Sequence, residues 1–148
     1  MNNSYQFFLQ THSWLRWIAL ILVIVLVVKS IMGMTSKKGY QKIDNILAAA
    51  FVGSMHLQFL LGIILYFFLS PITTNAMKNM KLAMKVGDIR FWVVEHLTIM
   101  ILAIVLAQLG RSLSKKAKSN PQKFKRQLIF FGLSLLCMLA GIPWDRVF

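Results

Sequence analysis

Four apolar stretches, at 7–34, 44–70, 91–110 and 126–143, constrain this chain of 148 residues more than any other feature. Each is close to the ~20 residues that an α-helix needs to cross the hydrocarbon core of a bilayer. In hydrocarbon only helices and closed barrels satisfy their own backbone groups, and long apolar runs without alternation read as helices. The sequence therefore predicts an all-α fold: one integral membrane domain over residues 1–148, built as a four-helix bundle. The stops fit. Gly33, Thr35, Ser36 and Gly39 end the first run, and Ser70-Pro71 ends the second. Gly110 closes the third, and Gly141 with Pro143 closes the fourth. Asp44 reads as the N-cap of the second helix. The fourth span is short unless its helix starts inside the basic stretch before it, where Lys and Arg heads can reach out to the interface.

Charge then orients the bundle. The chain is 57% hydrophobic and sets only 4 acids against 17 Lys and Arg, a net charge of +13. Lys29, Lys37, Lys38 and Lys42 flank the first loop, and Arg111, Lys115, Lys116, Lys118, Lys123, Lys125 and Arg126 fill the third. These are eleven of the seventeen basic residues, in loops on one side, which marks that side as cytoplasmic and both termini as periplasmic. The same arrangement argues against nucleic acid as the partner and for the lipid bilayer. Trp14, Trp17, Trp92 and Trp144 fall at the opposite ends of their helices, as an interfacial belt does. The N-terminus has no basic region of the kind that opens a signal peptide, so the first helix is expected to remain as a span. Cys137 is the single cysteine and sits in an apolar run, so it reads as a small hydrophobe.

Between the second and third spans, Met77, Met80 and Met84 share one helical face while Lys78, Lys81 and Lys85 share another. This predicts a short amphipathic surface helix over 76–86 whose methionines pack and bind no metal.

Ionisable groups inside apolar runs are costly, and there they mark candidate sites. Glu95 and His96 are the only strongly polar residues between Phe91 and Gln108, and His12 and His56 also lie within apolar runs. Counted at ~1.5 Å per residue, His12 and His96 both lie roughly 7.5 Å below the periplasmic boundary and His56 roughly 21 Å. Two imidazoles facing each other at one depth can ligate a haem iron, with His56 as the alternative ligand if helix two projects from the membrane. Arg16, Arg90 and Arg146 fall near the same end and suit haem propionates, while Glu95 reads as a supporting group or as an ion-pair partner of Arg16. No phosphate loop, dinucleotide fingerprint, Cys pair or nucleophile triad is present.

The segments His12-Ser13-Trp14-Leu15-Arg16-Trp17, His56-Leu57-Gln58 with Leu61-Gly62 and Tyr66, Arg90 to His96, and Gly110-Arg111-Ser112 carry a resemblance. Together they resemble a small four-helix membrane family of Bacteroidota whose members are labelled cytochrome B. That resemblance covers nearly the whole chain. It implies a b-type haem and electron transfer, with His12, His56 and His96 as the matching histidines. Helix four has no histidine, so two bis-histidine haems cannot fit within one chain.

The expectation favours an inner-membrane electron-transfer protein or subunit over a stand-alone enzyme. It holds one haem b near the periplasmic face and exchanges electrons with a quinol or a partner membrane subunit. Two rivals make different use of the same residues. A haem-free accessory subunit would use the histidines, Glu95 and Arg16 as interhelical hydrogen bonds. A small proton-coupled transporter would use Glu95 and His96 as a relay.

Overall fold

In the computed structural model, which describes residues 3–146 with side chains as far as Asp145, the apolar runs form long helices. Helix α1 spans Asn3–Thr35, and α2 spans Lys42–Ile64 and continues as a wider π-helical turn over Leu65–Leu69. Three short helices follow: α3 (Pro71–Lys78), α4 (Met80–Ala83) and α5 (Gly87–Arg90). A second π-helical turn, Phe91–Glu95, leads into α6 (His96–Lys116), and α7 spans Asn120–Gly141. A 3₁₀ turn over Trp144–Arg146 ends the described chain.

The bundle closes in the ring order α1–α2–α6–α7, which leaves α1 and α6 on one diagonal and α2 and α7 on the other. Its interior is made of small and medium residues. Ala19, Val23, Ala48, Ala103 and Ala107 are fully buried, with Phe51 and Phe131 crossing the α2–α7 diagonal edge to face at 5.3 Å. Its exterior is apolar: Ile21 and Leu136 are more than 60% exposed, and Ile18, Ile24 and Val28 about half. Small residues inside and large aliphatics outside is the reverse of a water-soluble bundle and suits packing between helices in lipid. Four helices are long and apolar enough to cross a membrane.

Three local expectations need correction. Asp44 is not the N-cap of α2. Gln41 is, and Asp44 sits at the third helical position, where its Oδ2 accepts from the Gln41 backbone N–H at 2.8 Å. The same buried carboxylate pairs with Lys29 of α1 at 3.2 Å, so one acid both starts α2 and ties it to α1. Helix α7 begins earlier than its apolar run, at Asn120, with Ser119 as its cap and Pro121 in the first turn. The basic residues there do not break the helix because they are engaged. Arg126 donates to the Leu113 carbonyl at 2.7 Å and Lys123 to the Ser114 and Lys115 carbonyls at 3.4 Å, covering the open end of α6. The surface segment is not one helix over 76–86. Asn79 leaves helical geometry at φ −146°, ψ 75° and caps α4 by accepting from Leu82 N. Met80 and Met84 are exposed and Met77 is half-buried.

The basic end is pinned by a buried polar chain. Gln127 donates to the Tyr40 hydroxyl at 2.5 Å, and the Ser30 hydroxyl donates to the Gln127 carbonyl oxygen at 3.4 Å. Burial, with the Asp44 carboxylate next, pushes the Tyr40 phenol up, so it stays a neutral hydroxyl at physiological pH.

Candidate functional site

At the opposite end all four long helices contribute to a cavity of about 380 Å³. Its wall is mostly apolar, with His12, Ser13, Arg16, Gln58, Tyr66 and His96 as the polar groups that matter here. Met55, Met100, Ile104 and Met138 close its deep end. No acid and no cysteine lines it among the described residues.

His12 and His96 stand on the diagonal helices α1 and α6 and line this one cavity. Arg16, one turn below His12, lines the same cavity. Each imidazole is held differently. His96 Nδ1 lies 2.7 Å from the Gly141 carbonyl oxygen. A carbonyl only accepts, so Nδ1 carries the proton and the neutral ring has its lone pair on Nε2. Gly141 makes this contact possible. A Cβ there would come within 2.5 Å of Ile99 Cγ2 and 2.7 Å of Met100 Cε, so only glycine lets the end of α7 close onto α6. Trp92, one turn earlier, sets its ring 5.4 Å from that of His96.

His12 packs over Gly62, where an added Cβ would sit 3.5 Å from His12 Cε1. Its Nδ1 is buried with no hydrogen-bond partner among the described residues, and so are Arg16 Nε and Gln58 Oε1. The Arg16 guanidinium lies 5.3 Å from the centre of the Trp17 ring.

The two π-helical turns brace this end. The Tyr66 hydroxyl donates to the Val93 carbonyl at 2.9 Å, and the Thr73 hydroxyl donates to the Tyr66 carbonyl at 2.6 Å. The first bond ties α2 to the start of α6, just above His96.

The remaining sequence candidates lie elsewhere. His56 is exposed on the outside of α2, and Gly53 beside it faces open space. Helix two does not present His56 to the cavity, because Met55, Gln58, Gly62 and Tyr66 share the inward stripe and His56 is rotated off it. The Arg16–Glu95 ion pair does not form. Glu95 Oε1 accepts from Arg90 Nε at 2.8 Å instead. In an α-helix residues five apart diverge, but the π turn over Phe91–Glu95 brings them onto one side. Arg90 and Glu95 therefore line a neighbouring surface cleft with Trp144, and neither reaches the cavity. Arg146 lies outside the described side chains. Gln58, Tyr66, Trp92 and Gly141 also belong to the site; the sequence reading named them as resemblance motif, aromatic belt and helix stop and gave none of them a role in binding.

Both members of the Arg90–Glu95 pair are nearly half exposed, so the pair contributes little. Glu95→Gln is expected to change stability in detergent by less than about 1 kcal/mol. A loss of more than about 2 kcal/mol would place Glu95 in a more demanding role.

The chain has no significant match among protein-family models, curated protein sequences or solved structures.

Proposed function

We propose that the protein is a membrane-embedded electron-transfer protein that holds one haem b in this cavity, with His12 and His96 as axial ligands. The observation that carries this reading is the state of the two imidazoles on one cavity. His96 is oriented through an Nδ1–H bond to a backbone carbonyl, which leaves Nε2 as the ligating atom, the usual arrangement for a metal-bound histidine. His12 stands across the same cavity on the diagonal helix α1.

The surroundings fit the group. The volume of about 380 Å³ falls in the ~300–1,000 Å³ range of small-molecule and cofactor sites. The wall is mostly apolar, and Arg16 supplies a permanent positive charge suited to a propionate. The wall offers neither carboxylates nor thiolates, which zinc and di-iron sites in bundles use. Haem supplies the one-electron chemistry; the chain supplies ligands, a low-dielectric pocket and the counter-charge.

The four helices span the inner membrane in this reading. The basic end faces the cytoplasm, and the cavity and both termini face the periplasm. A quinol or a partner membrane subunit is the electron donor or acceptor.

A haem-free accessory subunit is the second reading, and the His96–Gly141 and Tyr66–Val93 bonds would serve it equally. The cavity of about 380 Å³ that both imidazoles line favours a bound group over a purely structural role. A reduced-minus-oxidised visible spectrum of protein purified from haem-replete cells separates the two. The haem reading expects a b-type spectrum with one haem per chain; a featureless spectrum leaves the accessory subunit.

A further inference from the structure

The end opposite the cavity carries a second, unassigned surface. The loop 36–41 and the loop 117–119 form one continuous face. A Cβ at Gly39 would sit 3.0 Å from Asn120 Nδ2, Tyr40 packs on Phe124 with ring centres 5.2 Å apart, and Lys123 Nζ lies 5.4 Å from the centre of the Tyr40 ring.

Arg111 is half-buried, and the other ten basic residues of this face divide into two sets. Lys29, Lys123 and Arg126 are spent inside the protein, on Asp44 and on the open carbonyls of α6. Lys37, Lys38, Lys42, Lys115, Lys116, Lys118 and Lys125 are exposed. Asp44 is the only acid at this end, and Lys29 already holds it. The other three acids of the chain, Asp88, Glu95 and Asp145, lie at the cavity end. Seven lysines thus share one face with no carboxylate to neutralise them, where the long helices leave the apolar belt.

We infer that this face is a binding surface for the anionic headgroups of phospholipids in the leaflet it meets. The inference rests on the membrane reading above but not on the haem. Each basic side chain near an anionic membrane surface contributes about a fivefold factor in binding. Adjacent loops that present several together select anionic over zwitterionic lipid even after screening by salt. The apolar exterior directly beside the lysines favours a headgroup whose acyl chains lie along the bundle over a soluble polyanion.

The test uses the full chain reconstituted in nanodiscs with equal phosphatidylglycerol and phosphatidylcholine, followed by detergent release and counting of retained lipids by native mass spectrometry. The wild type should retain phosphatidylglycerol at least about fivefold over phosphatidylcholine at about 50 mM salt, with the preference shrinking at about 500 mM. A variant with Lys37, Lys38, Lys42, Lys115, Lys116 and Lys118 all replaced by Gln should fall to near parity while keeping the wild-type melting temperature. The control Lys78→Gln/Lys81→Gln/Lys85→Gln, on the opposite end, should keep the preference. Parity in the wild type, undiminished preference in the six-lysine variant, or equal loss in the control would each overturn the inference. So would nucleic acid in place of lipid on the purified wild type. Failure of the membrane reading shows separately, as a chain that does not enter the disc at all.

Discussion

If the cavity holds haem as proposed, replacing His12 or His96 by alanine is expected to empty it, while His56→Ala keeps the wild-type content. Loss of an outer-shell partner typically lowers metal affinity ~10–100-fold, and loss of a ligating nitrogen should cost at least that. The two histidines line one cavity, and His56 is exposed on the outside of α2. The measurement is haem per folded chain, by pyridine haemochrome, for each single variant in the same detergent. Arg16→Ala should retain haem with lower occupancy, because it removes a counter-charge and leaves both ligands. Loss of haem in His56→Ala with retention in His12→Ala would contradict the assignment. Equal retention in all three would contradict histidine ligation itself.

The second large effect concerns what holds the diagonals together. Phe131→Ala should destabilise the bundle by about 2–3 kcal/mol, less than the ~3–5 kcal/mol usual for a buried Phe in a water-soluble core. If the bundle sits in lipid as proposed, the transfer contribution largely vanishes, since a separated helix would also place this ring in hydrocarbon. The lost packing and the cavity remain. Phe131 is fully buried and meets Phe51 edge to face at 5.3 Å. The double variant Phe51→Ala/Phe131→Ala should therefore cost less than the sum of the singles, by about 0.5–1.5 kcal/mol for the ring pair. Reversible unfolding in mixed micelles measures both values. Full additivity would mean that the rings do not depend on each other.

The four long helices were legible because each apolar run is long enough to exclude other assignments, and the loops that join them carry the charge. What hid the start of α7 was a competition among signals. Lys123 and Arg126 read as a solvated loop, but they bind the last carbonyls of α6 and so belong to a helix. The face of α2 was also readable. Met55, Gln58, Gly62 and Tyr66 recur at helical spacing, and that stripe leaves His56 outside it. Depth counting overlooked this because it treats a helix as a line without faces.

The pairing of Glu95 with Arg90 was not legible. It depends on a π turn, and nothing in Phe91-Trp92-Val93-Val94-Glu95 distinguishes that turn from an ordinary α-helical one. Gly141 shows a third kind of gap. As a sequence signal it marks the end of α7, yet its carbonyl orients His96 because the missing side chain allows two helices to close. Only the tertiary structure connects those facts.

Electron paramagnetic resonance of the purified ferric protein, with haem counted per chain, tests the central claim most directly. Ligation by both His12 and His96 predicts one haem per chain and a low-spin signal of the bis-imidazole type. A protein without haem, or one whose haem is high-spin and unaffected by His12→Ala or His96→Ala, would contradict it.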